Sequence, residues 1–100
     1  MISVNVTFIG NEVKTLTVSG HANYAEYGKD IVCAGVSAVV TGGINALASN
    51  VKNIKIINED NKLGVEVINI NQEIQIILNT ILIQLETIQK SYKKYIKIEK

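Results

Sequence analysis

Residues 20–47 read GHANYAEYGKDIVCAGVSAVVTGGINAL and hold the chain's only histidine, His21, and its only cysteine, Cys33. The stretch passes from the end of a strand-like run, through a polar loop containing glycine, into helical spacing. From Asp30 onward Val32, Val36, Val39, Val40, Ile44 and Leu47 recur at the period of one helix face, which predicts a helix over about 31–49. Asp30 then stands where a side-chain oxygen can cap the free amides of the first turn. Gly35, Gly42 and Gly43 each weaken such a helix by about 1 kcal/mol relative to alanine. They therefore imply close packing against a sheet or a partner. Residues 22–29 have the small and polar composition of a mobile surface loop.

Outward from this stretch the pattern is strand-like on both sides. Ile2, Val4, Val6 and Phe8 alternate with polar residues, Gly10-Asn11 interrupts, and Leu16, Val18 and Gly20 resume the alternation. Residues 1–20 thus read as a β-hairpin with one buried face. Beyond the helix, Ile54 and Ile56 and then Leu63, Val65 and Val67 read as a second hairpin joined by the polar segment Asn58–Lys62. Asn71 is placed to cap a second helix, in which Ile74, Ile77, Leu78, Ile81, Leu82, Leu85 and Ile88 form a broad apolar stripe. Ile96 and Ile98 return to alternation as a last short strand. The order ββαββαβ gives an α+β fold, a mostly antiparallel sheet with two helices packed on one face.

The chain has 100 residues, a length that suits a single domain over 1–100 with one modest core. Its net charge of +1 gives no electrostatic ground for direct nucleic-acid or membrane binding. All ten basic residues are lysine, so recognition of phosphate or carboxylate by a guanidinium fork is excluded. Lys90, Lys93, Lys94 and Lys97 read as a solvated face. A lone cysteine cannot form an internal disulfide and implies a reduced thiol in the cytoplasm. The start MISVNVTFIG lacks the pattern of a signal peptide. Asn79, Thr80 and Gln84 break the greasy run Ile74–Leu85, against a membrane span. One cysteine and one histidine are too few soft ligands for a closed zinc site, and no metal or other cofactor is expected.

With Asp30 as cap, Cys33 falls in the first turn, where free amides and the positive end of the helix dipole favour a thiolate. A histidine close by would take the thiol proton and return it to a leaving group. The first-turn amides, that of Cys33 included, would face a developing oxyanion. These are the parts of a thiol acyl-transfer enzyme. The same residues have plainer readings: a cysteine on a valine-rich helix as a small buried hydrophobe, and a histidine satisfied by hydrogen bonds. Asp30 either caps the helix or orients His21. Ser37, four residues after Cys33 on the same helix face, bonds at the site or to its own backbone. Tyr24 and Tyr27 line a groove or simply pack.

GHA, followed by a short loop and GKDIVCAGVSAVV, resembles the signature of the ribosomal-processing cysteine protease Prp family. The likeness is strongest over Gly20–Leu47, and the element order agrees more loosely along the whole chain. It implies that His21 and Cys33 form the catalytic dyad, with Gly20, Asp30 and Ser37 in supporting roles. The loop residues Ala22, Asn23, Tyr24, Tyr27 and Gly28 would then reorganise around substrate as a lid. It also implies a homodimeric cytoplasmic endopeptidase that removes a short hydrophobic N-terminal extension from large-subunit ribosomal protein twenty-seven, cutting after paired aromatic residues. SYKKYI stands where relatives commonly carry a proline, so the end of the second helix is expected to differ. A non-catalytic ribosome-assembly factor holding a hydrophobic peptide in the same groove is the alternative.

Overall fold

The computed structural model describes residues 1–20 and 27–100, with the side chains of 31–100 in the second span. The elements run β1 (Ile2–Ile9), β2 (Glu12–Ser19), α1 (Tyr27–Ala46), a 3₁₀ segment (Ala48–Asn53), β3 (Ile54–Glu59), β4 (Lys62–Val67), α2 (Gln72–Ser91) and β5 (Ile96–Glu99). This is the ββαββαβ order that the apolar spacing predicts. The five strands form one sheet in the order β3-β4-β2-β1-β5. Every pairing is antiparallel except β1 with β5, because β5 returns to the sheet after the α2 crossover.

Both hairpins close with two-residue turns. Ile9 pairs with Glu12 around Gly10-Asn11, and Gly10 takes the positive φ of +60° that a first turn position needs to follow the sheet twist. Glu59 pairs with Lys62 around Asp60-Asn61, so the second turn is shorter than the polar segment Asn58–Lys62 predicts. Asn61 adopts φ 63°, a left-handed conformation that asparagine tolerates better than most residues.

Ile2, Val4, Val6, Val13 and Leu16 from the first hairpin and Ile54, Val65 and Val67 from the second are buried beneath the helices. Two apolar residues leave the expected pattern. The β1–β2 register slips between Thr7 and Phe8, and Phe8, past that irregularity, is exposed. Ile56 pairs with the buried Val65 yet is 46% exposed, at the outer edge of the sheet, where β3 has no neighbour on its far side.

Asn71 caps α2, its Oδ1 accepting from the Ile74 N–H at 2.9 Å, and Ile74, Leu78, Ile81, Leu82 and Leu85 are buried. The chain leaves α2 without proline: the Tyr92 N–H still donates to the Ile88 carbonyl at 3.0 Å. The two helices pack closely at Gly43, where a Cβ would overlap the Cδ1 and Cγ1 of Ile81. That contact supplies the tertiary reason for a glycine inside α1.

The limits of α1 differ from the expected 31–49. The helix begins at Tyr27 and ends at Ala46, after which the buried Leu47 leads into the 3₁₀ segment. Asp30 is therefore the fourth residue of the helix and does not occupy the capping position. Tyr27 and Gly28 are helical and not loop residues. Gly28 is the only weak helix former in that added turn, and its cost of about 1 kcal/mol is small enough for neighbouring turns to offset.

Candidate active site

Cys33 lies on the flank of α1, beside the buried row Val32, Val36 and Val40, and is half-buried against the core. Val36 and Ser37 come one turn later and Val40 two turns later on that flank. This edge of the helix faces the end of the sheet where β2 finishes and β4 starts, because Ser19 pairs with Lys62 and Val18 with Leu63. Between them opens a groove of about 320 Å³ lined by Ile2, Val18, Gly20, Cys33, Val36, Ser37, Val40, Asn58, Glu59, Asn61, Lys62 and Leu63. Its lining is graded. The helix and inner strands give it an apolar floor, and the β3–β4 turn gives it a polar rim with one acidic and one basic side chain.

Three residues singled out from the sequence, Gly20, Cys33 and Ser37, are thus brought to one groove. Gly20 has φ +87°, and a side chain there would run into the carbonyl oxygen of Met1, so the end of β2 requires glycine on two grounds. Ser37 is exposed on the groove wall. His21, Ala22, Asn23 and Tyr24 lie outside the described residues. Asp30 is in the first turn of α1, three residues before Cys33.

The earlier start of α1 also corrects the expected chemistry of Cys33. As the seventh residue of the helix, it lies beyond the first turn, to which free amides and most of the dipole effect are confined. Its own amide belongs to the helix ladder and is not a free oxyanion donor.

The residues that sequence reasoning missed are those of the rim, Asn58, Glu59, Asn61 and Lys62. The polar segment is legible as a turn, but its place at the groove depends on the β2–β4 pairing, a contact between separate hairpins with no local signature. The lysines near the C-terminus lie away from the groove. Lys90, Lys93, Lys94 and Lys97 are exposed, and Lys97 pairs with Glu99 at 3.0 Å. Among the described residues no helix is long and apolar enough to cross a membrane.

Comparison with known proteins gives the groove a context. A family model described as cysteine protease Prp matches residues 1–97. The ribosomal processing cysteine protease Prp of Staphylococcus aureus is 40% identical over 104 residues, spanning 98% of this chain and 97% of the relative. The crystal structure of the S. aureus ribosomal processing protease Prp with a substrate peptide aligns with a TM-score of 0.87 at 34% identity, covering 99% of this chain and 98% of that one. A second structure of that protease, with a covalently linked product peptide, aligns with a TM-score of 0.86 at 35% identity and the same coverage.

Proposed function

The chain belongs to the cysteine protease Prp family, and on that premise we propose that Cys33 is its nucleophile and His21 its general acid and base. The observation that carries this reading is the half-buried Cys33 opening into a groove large enough for a peptide side chain. The Cys33 thiolate attacks the scissile carbonyl carbon. The tetrahedral intermediate collapses to a thioester as protonated His21 donates to the leaving amine. Water, deprotonated by His21, then attacks the thioester, releasing the carboxylate product and the free thiol. The covalently linked product peptide in the S. aureus structure fits such an intermediate. An imidazolium at His21 also favours the Cys33 thiolate.

The apolar floor of Val18, Val36, Val40 and Leu63 suits an apolar side chain at the cleavage point, while the opposed charges of Glu59 and Lys62 give the rim no net bias. That lining matches the substrate implied by the family resemblance, the hydrophobic N-terminal extension of large-subunit ribosomal protein twenty-seven, cut after paired aromatic residues. Gly20, Asp30 and Ser37 support the dyad, and Ala22, Asn23 and Tyr24 belong to the substrate loop. The reading includes one protease domain over 1–100, a homodimer, and action in the cytoplasm without direct nucleic-acid contact.

The test is cleavage of a peptide carrying the extension by the wild type, Cys33→Ala and His21→Ala. Turnover by the wild type alone is the expected result. Equal turnover by Cys33→Ala would reject the nucleophile. Peptide binding by every variant with no product from any of them would leave an assembly factor that only holds the extension.

A further inference from the structure

The groove rim holds more than polar side chains. Asn61, at the tip of the β3–β4 turn, accepts a hydrogen bond through its backbone carbonyl from the Gly20 N–H at 3.3 Å. Gly20 follows the last residue of β2 and is bonded to His21, and its Cα has no room for a side chain because the Met1 carbonyl is packed against it. The strand end is therefore clamped from two sides, by Met1 of β1's approach and by Asn61 of the neighbouring hairpin. The Asn61 side of the clamp depends on φ 63° at that residue, since this left-handed conformation sets where the following strand and the carbonyl point. L residues other than asparagine, aspartate and glycine resist it, β-branched ones most of all.

We propose that Asn61 is a positioning residue of the proteolytic site, its left-handed turn fixing the Gly20 strand end, the residue covalently joined to the proposed general base His21. The inference rests on the reading of His21 and Cys33 as the dyad. It assigns the β3–β4 turn a part in catalysis through Gly20. A displacement of about 1 Å in a catalytic group costs up to about a hundredfold in rate, so a loosened clamp lowers kcat more than it changes KM.

The experiment compares Asn61→Gly, Asn61→Ala and Asn61→Val with the wild type in peptide cleavage, and follows the pH dependence of Cys33 alkylation by iodoacetamide. Glycine accepts the left-handed conformation, alanine tolerates it poorly and valine least. Asn61→Gly should keep kcat within about twofold. Asn61→Ala and Asn61→Val should lose kcat progressively, to at least about tenfold for valine, with KM moved less than kcat. The alkylation profile should shift to higher pH in the same order, as an imidazolium held less closely stabilises the thiolate less. Asn61→Ala, the milder change, keeps the test open if Asn61→Val fails to fold. Loss of kcat equal in glycine and alanine variants would assign the effect to the Asn61 side chain in the groove and overturn the proposal, as would unchanged kcat in all of them. Those failures differ from failure of the dyad itself, in which the wild type does not cleave or Cys33→Ala still does.

Discussion

Adjacent glycines on α1 make opposite predictions from the same substitution. At Gly42 a Cβ would meet nothing within 4 Å, whereas at Gly43 it would overlap the Cδ1 and Cγ1 of Ile81. Alanine in a helix interior is worth about 1 kcal/mol over glycine, so Gly42→Ala should stabilise by about 0.5–1 kcal/mol. Gly43→Ala gains the same helix term but forces Ile81, which is 3% exposed, out of its position. Overpacking of this kind costs about 1–3 kcal/mol. The net is a loss of up to about 2 kcal/mol, and the two variants should differ by roughly 1–3 kcal/mol. In a chain of this size 1 kcal/mol moves the melting temperature by about 4–8 °C, so thermal unfolding by circular dichroism resolves the pair. The double variant Gly43→Ala with Ile81→Ala removes both colliding atoms, Cδ1 and Cγ1, and should lose less than the sum of the single changes. Gly43→Ala as stable as Gly42→Ala, or strict additivity in the double variant, would refute close packing of the helices at this point.

Three further outcomes follow from single contacts. Gln75 mimics a strand partner for Val13, accepting from its N–H at 2.7 Å and donating to its carbonyl at 2.9 Å. Gln75→Leu should therefore cost about 1–3 kcal/mol in urea unfolding, and no change in midpoint would contradict it. Asn71→Ala removes the α2 cap and the Asn71 Nδ2 donation to Asn50 Oδ1 at 3.0 Å. It should cost at least about 1 kcal/mol, with Asn71→Asp recovering the capping part alone. Gly20→Ala combines a left-handed φ with a collision against the Met1 carbonyl. It should lower stability by about 1–2 kcal/mol and reduce peptide cleavage further than that loss explains; full activity would remove Gly20 from the site.

Element order and core were legible wherever a residue's fate follows from its own neighbours in sequence. The α2 stripe and the Asn71 cap depend on local spacing, and the structure holds both. The misplaced features depend on longer relations. Phe8 is turned out by a register slip with β2, and Ile56 by the position of β3 at the sheet edge, neither of which alternation encodes. Asp30 has the chemistry of a cap but sits one turn inside a helix that Tyr27–Lys29 extend at little cost. At the site, the two motif frames point to Gly20, Cys33 and Ser37, which the fold brings to one groove. The rim residues Asn58, Glu59, Asn61 and Lys62 reach the same groove through the β2–β4 pairing, and no local pattern announces that contact.

The central claim, that the Cys33 thiol cuts a ribosomal protein's N-terminal extension, is tested most directly by mass spectrometry of that protein's N-terminus. The extended ribosomal protein is mixed with the wild-type chain and, separately, with Cys33→Ala. The account predicts loss of the extension at one position with the wild type and an intact N-terminus with Cys33→Ala. An intact N-terminus in both, or the same cleavage in both, would contradict it.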